Sequence, residues 1–106
     1  MIKETLESPQ NSASVVDLRR EAGAWLKEQR CKLGLSQREL AKRVNMDYYT
    51  FISQIEAGRG RVPAERLRVW SEALEMDPKD FAINLMKFYD PHTFEMIFEG
   101  SDVNSK

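Results

Sequence analysis

Apolar residues recur at intervals of three and four along most of this chain, the spacing that places side chains on one face of an α-helix. The first such stretch predicts a helix over about residues 16 to 33. Its apolar positions are Leu18, Ala22, Trp25, Leu26 and Leu33, with mostly charged or polar residues between them. This helix is therefore expected to bury one face and to expose the other to solvent.

A second helix is predicted to begin at Ser36, because Glu39 follows three residues later. In this arrangement, the capping box, the two side chains satisfy backbone N–H groups that a helix leaves free at its start. Three apolar residues then follow at helical spacing, namely Leu40, Ala41 and Val44. The pattern stops at residues 45 to 47, where Asn and Asp are typical of a turn.

The third helix is predicted over residues 48 to about 57, with Asp47 as its cap and Gly58 as the left-handed residue that ends it. Ile52 and Ile55 lie three positions apart on one face. The other faces carry Tyr49, Thr50, Ser53 and Gln54. One stripe can thus pack inward, while a surface rich in hydrogen-bonding groups faces outward.

Two more helices complete the pattern. The fourth follows Pro63 and has apolar residues at Leu67, Trp70, Ala73 and Leu74. The fifth spans about residues 78 to 89, with Asp77 as its cap and an inner stripe of Phe81, Leu85 and Phe88. We therefore predict an all-α fold: a compact five-helix domain over residues 17–90, in which helices 2 and 3 form a helix-turn-helix.

Residues 1–16 precede this domain and are polar, without apolar periodicity. Such a segment cannot bury enough apolar surface to fold alone, so we predict a flexible N-terminal tail. The alternative is an arm that reaches into a DNA groove, although Lys3 is the only basic residue available for that role.

Residues 91–106 form a C-terminal extension that is unusually apolar at its start. Phe94, Met96 and Phe98 alternate as in a strand, whereas Phe94, Ile97 and Phe98 match a helical face, so the period leaves its conformation open. A large apolar terminal segment commonly marks a partner surface. We expect these four residues to mediate dimerisation, with packing onto their own domain as the alternative.

Charge is distributed unevenly along the chain. The formal net charge of −1 by itself argues weakly against a nucleic-acid partner. Residues 18–68, however, contain twelve Lys and Arg against six Asp and Glu, whereas residues 69–106 contain three against eight. Only the surface that faces phosphates needs to be basic. The distribution therefore favours DNA binding by the helix-turn-helix and its flanks.

The composition disfavours several other classes of function. One cysteine, Cys31, and one histidine, His92, provide neither an internal disulfide nor a cluster with zinc-ligand spacing. No apolar run approaches the roughly 20 residues of a membrane span, and the N-terminus lacks a signal peptide's apolar segment. We therefore expect a cytoplasmic protein that has no cofactor, metal or small-molecule ligand. No set of catalytic side chains indicates an enzyme.

Three stretches resemble the Xre/Cro type of helix-turn-helix domain, and the resemblance covers about residues 26 to 81. They are Gly-Leu-Ser-Gln at 34–37 with Glu-Leu-Ala at 39–41, Ile-Ser-Gln-Ile-Glu-Ala-Gly at 52–58, and the fourth-helix residues Leu67, Trp70, Ser71, Ala73 and Leu74. The resemblance implies a helical domain that binds a pseudo-palindromic operator as a dimer. It also implies that the third helix lies in the major groove.

The resemblance further implies roles for single residues. Contacts with bases or the groove would come from Gln37, Tyr49, Thr50, Ser53 and Gln54. DNA phosphates would be bound by Arg38, Arg59 and Arg61. The last two stand beside glycines that let a backbone approach closely, and a solvated turn is the alternative there. Arg30 and Glu56 would form a structural ion pair between helix 1 and the end of helix 3.

The sequence departs from the family pattern by one extra residue between Gln37 and Glu56, within or beside residues 45 to 50. The sequence therefore leaves the first residue of the recognition helix open by one position, and with it the roles of Tyr48, Tyr49 and Thr50. The function predicted from these features is a DNA-binding transcriptional regulator that acts as a homodimer on double-stranded DNA. A protein-interaction module, such as an antitoxin or adaptor, is the alternative.

Overall fold

A computed structural model describes the backbone of residues 2–99 and the side chains of residues 15–98. Six α-helices lie in this part of the chain: α1 (Ile2–Lys32), α2 (Gln37–Arg43), α3 (Thr50–Glu56), α4 (Leu67–Ala73), α5 (Pro78–Tyr89) and α6 (Pro91–Phe94). A 3₁₀ turn (Ala64–Arg66) precedes α4, and a π-helical turn (Glu95–Glu99) follows α6. The described residues contain no β-strand, which confirms the prediction of an all-α fold.

The predicted helix bounds agree with the structure for α5 and differ at the N-terminus. The backbone of α1 begins at Ile2, well before the predicted start near residue 16. The predicted tail of residues 1–16 lies almost entirely outside the residues whose side chains are described. None of the helices in the described part is long and apolar enough to cross a bilayer.

One core joins the helices, and it consists of the apolar stripes that the periodicity predicts. Its completely buried side chains include Ala22, Leu26, Leu40, Val44, Ile52, Trp70 and Phe81. The ring of Trp25 lies 5.8 Å from that of Phe81, centroid to centroid, and so connects α1 with α5. Because α1, α2 and α3 all contribute to this core, the α2–α3 unit is fixed to the rest of the domain.

Side-chain caps define the starts of α2 and α5, as predicted. The hydroxyl of Ser36 accepts a hydrogen bond from the Glu39 backbone N–H at 3.0 Å, and the Glu39 carboxylate accepts one from the Ser36 N–H at 2.8 Å. The latter bond, made with the charged carboxylate, holds the pKa of Glu39 below its ordinary value. At α5, the carboxylate of Asp77 accepts from the Asp80 N–H at 3.1 Å.

α1 and α3 approach each other closely at Gly23. A Cβ atom at this position would lie 2.6 Å from the carbonyl carbon of Glu56 and 2.7 Å from the carbonyl oxygen of Ile55. Both are backbone atoms, which cannot move aside without displacing the helix. Glycine at position 23 therefore sets the distance between the two helices, a role that the sequence reasoning did not predict.

The C-terminal extension is helical up to residue 99, so the strand alternative is wrong for the described part. The rings of Phe94 and Phe98 are 4.8 Å apart between centroids, and the ammonium of Lys87 lies 6.0 Å from the Phe94 centroid. Phe94 and Phe98 are half-buried, whereas Met96 is 76% exposed. The spacing of four residues that brings the two rings together is that of a helical face.

Candidate nucleic-acid interface

A buried ion pair fixes the C-terminal end of α3. The Nε of Arg30 donates to one carboxylate oxygen of Glu56 at 2.7 Å, and its Nη2 donates to the other at 3.0 Å. The side chains are only 9% and 4% exposed. Hydrogen bonding to Glu56 raises the pKa of Arg30, and the Nη1 of Arg30 also donates to the Leu35 carbonyl at 2.7 Å. The guanidinium thus connects α1, α3 and the segment before α2.

Gln37, the first residue of α2, joins this network. Its Nε2 donates to Glu56 Oε1 at 3.0 Å, and its side chain is half-buried. The Glu56 carboxylate therefore accepts hydrogen bonds from both α1 and α2 while belonging to α3. This network fixes the relative positions of the three helices, and it orients the Gln37 side chain from which the sequence predicted a DNA contact.

The segment between α2 and α3 differs from its prediction. α3 begins at Thr50, two residues later than expected, and Tyr49 precedes it in place of the predicted cap Asp47. Asn45 takes a left-handed φ of 60°, and the guanidinium of Arg66 binds the Val44 carbonyl at 2.7 Å. The connection between α2 and α3 therefore covers residues 44–49, and an arginine from another part of the chain holds its first carbonyl.

The exposed surface of α3 carries most of the predicted contact residues. Ile52, Ile55 and Glu56 are buried; Thr50 and Gln54 are exposed, and Ser53 is half-buried. Just before the helix, the ring of Tyr49 lies under the guanidinium of Arg38, whose carbon is 4.8 Å from the ring centroid. The structure therefore brings Arg38 of α2 beside the start of α3, an arrangement consistent with a cation–π contact.

Two exposed aromatic residues were missing from the predicted set. Phe51 lies within α3 and is 53% exposed, and Tyr48 precedes the helix and is 67% exposed. The signal was present in the sequence, because position 51 falls outside the stripe formed by Ile52 and Ile55. It was overlooked because the contact residues were sought mainly among polar side chains.

The loop after α3 places its two arginines differently. Arg59 is exposed. The guanidinium carbon of Arg61 lies 4.3 Å from the ring centroid of Tyr89, and its Nη2 is 3.4 Å from a carboxylate oxygen of Asp90. The Tyr89 hydroxyl in turn accepts from the Val62 N–H at 3.1 Å, and burial raises the pKa of this hydroxyl. The sequence reasoning missed this contact between the loop and the end of α5.

Several basic residues of the positively charged region serve the fold itself. Arg43 donates to the Ala73 carbonyl at 2.9 Å and lies 3.2 Å from the Glu75 carboxylate. The hydrogen bonds from Arg43 to the Ala73 carbonyl and from Arg66 to the Val44 carbonyl satisfy oxygens that short helices leave free at their ends. Exposed cations next to the start of α3 include Arg38 and Lys42, which line a cleft of about 330 Å³ with Tyr48 and Tyr49.

No group of three His, Cys, Asp or Glu side chains suited to a metal ion occurs in the described part of the chain.

A family model described as a helix-turn-helix matches residues 26–81, which extend from the second half of α1 into α5. This stretch contains α2, α3 and all the residues from which base or phosphate contacts were predicted. A comparison with curated proteins found no match.

Proposed function

The chain belongs to the Xre/Cro-type helix-turn-helix family of DNA-binding regulators, and we propose that it is a sequence-specific transcriptional regulator that binds a pseudo-palindromic operator as a homodimer. α2 and α3 are the two helices of the motif, and α3 enters the major groove. One observation carries this proposal: the exposed, largely polar face of α3 lies on a helix whose end is fixed by the buried Arg30–Glu56 pair.

In this proposal, sequence is read mainly by the exposed face of α3. Gln54 is exposed and has an amide that can both donate to and accept from an adenine edge in the major groove. Thr50 and Ser53 are on the same helix and supply hydroxyls for base edges or nearby phosphates. Because the helix is tied to the core on its other face, these side chains are presented without first ordering the backbone, which reduces the entropic cost of binding.

Phosphate contacts position the domain on the duplex without reading its sequence. We assign this role to Arg38, Arg59 and Arg61, with Gln37 at the start of α2 contributing at the groove. Arg38 and Arg59 are exposed. Arg61 is available if its guanidinium leaves Asp90 or binds the phosphate with its remaining N–H groups.

We assign dimerisation to the extension, through Phe94, Met96, Ile97 and Phe98. Phe94 and Phe98 pack on each other and can stiffen the segment, while Met96 and Ile97 expose apolar surface that a second copy can cover. A two-fold dimer of this kind would present two copies of α3 to half-sites about one helical turn apart, roughly 34 to 36 Å.

Gel-shift titration of the full chain at several salt concentrations tests the proposal. Random DNA and the DNA upstream of the protein's own gene serve as probes. We expect binding that weakens steeply with salt and that is tighter for a specific sequence. Gln54→Ala should reduce the preference for that sequence by about 1–3 kcal/mol. Absence of binding even at low salt would contradict the proposal and favour a protein-interaction module.

A further inference from the structure

Exposed aromatic residues are concentrated at one end of α3. Among the described residues, seven large apolar side chains are exposed, and three of them are Tyr48, Tyr49 and Phe51. We call these three residues the aromatic patch. Single exposed apolar residues are common on protein surfaces, but a cluster of them commonly marks a binding surface. A ligand that binds this patch is therefore expected to offer apolar groups.

Phe51 is the member of the patch best placed to contact that ligand. It lies in the first turn of α3, where its backbone N–H donates to the Tyr48 carbonyl at 3.3 Å. Gln54 lies three positions further along the helix, so both side chains emerge from neighbouring positions on its surface. Tyr49 differs, because its ring is already beneath the guanidinium of Arg38.

The surroundings of the patch favour an anionic ligand. The exposed cations Arg38 and Lys42 line the cleft beside Tyr48 and Tyr49, against a single acid, Asp47. A ligand suited to this surface must combine negative charge with small apolar groups at a fixed distance from it. Duplex DNA does so in its major groove, where the C5-methyl of thymine is the apolar group presented between the two phosphate backbones.

We propose that Phe51 is a specificity-determining residue that selects thymine by apolar contact with its C5-methyl group. This inference rests on the proposed function, because it requires α3 to lie in the major groove. It adds a second kind of base recognition to the hydrogen bonds of Gln54. The operator would then contain, in each half-site, at least one thymine whose methyl group contributes to affinity.

Replacing thymine by deoxyuridine tests this role, because the exchange removes the methyl group and leaves every hydrogen-bonding group of the base in place. A duplex is first enriched from random DNA with the full chain, and each thymine is then exchanged singly. Affinity is measured by fluorescence anisotropy. For the wild-type chain, deoxyuridine at the contacted thymine should weaken binding about fourfold, the effect of losing one buried methyl group.

In Phe51→Ala, this thymine-to-deoxyuridine ratio should fall to about one. Phe51→Leu keeps an apolar side chain and should retain part of the ratio. Gln54→Ala is the matched control on the same helix; it should alter the preference at another base while leaving the fourfold ratio intact. Circular dichroism checks that each variant is folded, and Phe51→Gln replaces the alanine variant if that one is not.

Two results would overturn the inference alone: an enriched duplex in which no thymine is sensitive to the exchange, or a ratio that persists in folded Phe51→Ala. If the wild-type chain enriches no sequence at all, the proposed function fails and the inference fails with it. The two failures are therefore distinguishable by the first step of the experiment.

Discussion

Removal of one partner of the Arg30–Glu56 pair should be among the most destabilising single changes in this domain. In Arg30→Met, the Glu56 carboxylate loses hydrogen bonds of 2.7 and 3.0 Å and keeps the one from Gln37 at 3.0 Å. Its side chain is only 4% exposed, so little water can replace the guanidinium. A carboxylate buried in this way remains without a compensating charge.

The size of the effect follows from that burial. Breaking a buried pair by removing one partner costs about 3–5 kcal/mol, whereas replacing both partners by apolar residues is often close to neutral. Single domains have unfolding free energies of about 5–15 kcal/mol. Arg30→Met should therefore lose a large part of the total stability and lower the melting temperature by at least about 12 °C, at about 4–8 °C per kcal/mol.

A double-mutant cycle measures this coupling. Arg30→Met, Glu56→Met and the double variant are unfolded in urea, and the fluorescence of Trp25 and Trp70 reports the transition. Both single variants should be strongly destabilised, and the double variant should lose much less than the sum of the two. Additive losses, or a loss below about 1 kcal/mol in each single variant, would refute the assignment of the pair as a buried scaffold.

Four further predictions concern other parts of the domain. Arg61→Ala should weaken binding to all DNA sequences alike and reduce the salt slope by about one for each Arg61 at the interface, as gel shifts at several salt concentrations can show. Gly23→Ala should destabilise the domain by about 1–3 kcal/mol in urea unfolding, because the clash with the backbone of α3 outweighs the ~1 kcal/mol that alanine gains in a helix. The pKa of Glu39 is lower in the folded chain than its ordinary value of 4.5, so the stability that its carboxylate contributes is present above pH 4.5 and is lost as the pH falls through the folded pKa. Glu39→Gln should therefore lose less stability than wild type on acidification, as urea unfolding at a series of pH values can show. For the proposed homodimer, Met96→Asp should yield monomers in size-exclusion chromatography with light scattering, because a charge within the apolar contact opposes association.

Matched controls separate these effects from general damage. Gly60→Ala should be tolerated, since its Cβ would meet Ile55 at an ordinary 3.6 Å. Lys79→Ala removes a cation from the exposed start of α5 and should leave the salt slope unchanged. A sequence-selective loss in Arg61→Ala would contradict its phosphate role, and a dimeric Met96→Asp would contradict the assignment of the extension.

The helices could be predicted because their signals are local. The capping box at Ser36 and the cap at Asp77 each act within one helical turn, and the structure contains both. The apolar stripes likewise indicate, for each helix on its own, which face is buried. These short-range interactions were sufficient to assign the fold class and the bounds of α5 without knowledge of how the helices pack.

The connection that leads to α3 could not be predicted from local signals, because one of its contacts comes from a residue distant in sequence and no side-chain cap marks the start of the helix. The connection after α2 is held by Arg66, which is 22 positions from the Val44 carbonyl that it binds. The contacts of Arg61 with Tyr89 and Asp90 depend in the same way on where α5 packs. Gly23 is different, because a glycine inside a helical pattern costs about 1 kcal/mol relative to alanine, and this cost could have prompted a search for a packing reason.

The central claim is that α3 reads a DNA sequence while the chain is a dimer. In vitro selection from random duplex DNA with the full chain tests it most directly. We predict enrichment of a palindromic consensus whose half-site centres lie about 10 base pairs apart, or a multiple of that spacing. Recovery of no enriched sequence at low salt, from a chain shown to be folded, would contradict the claim.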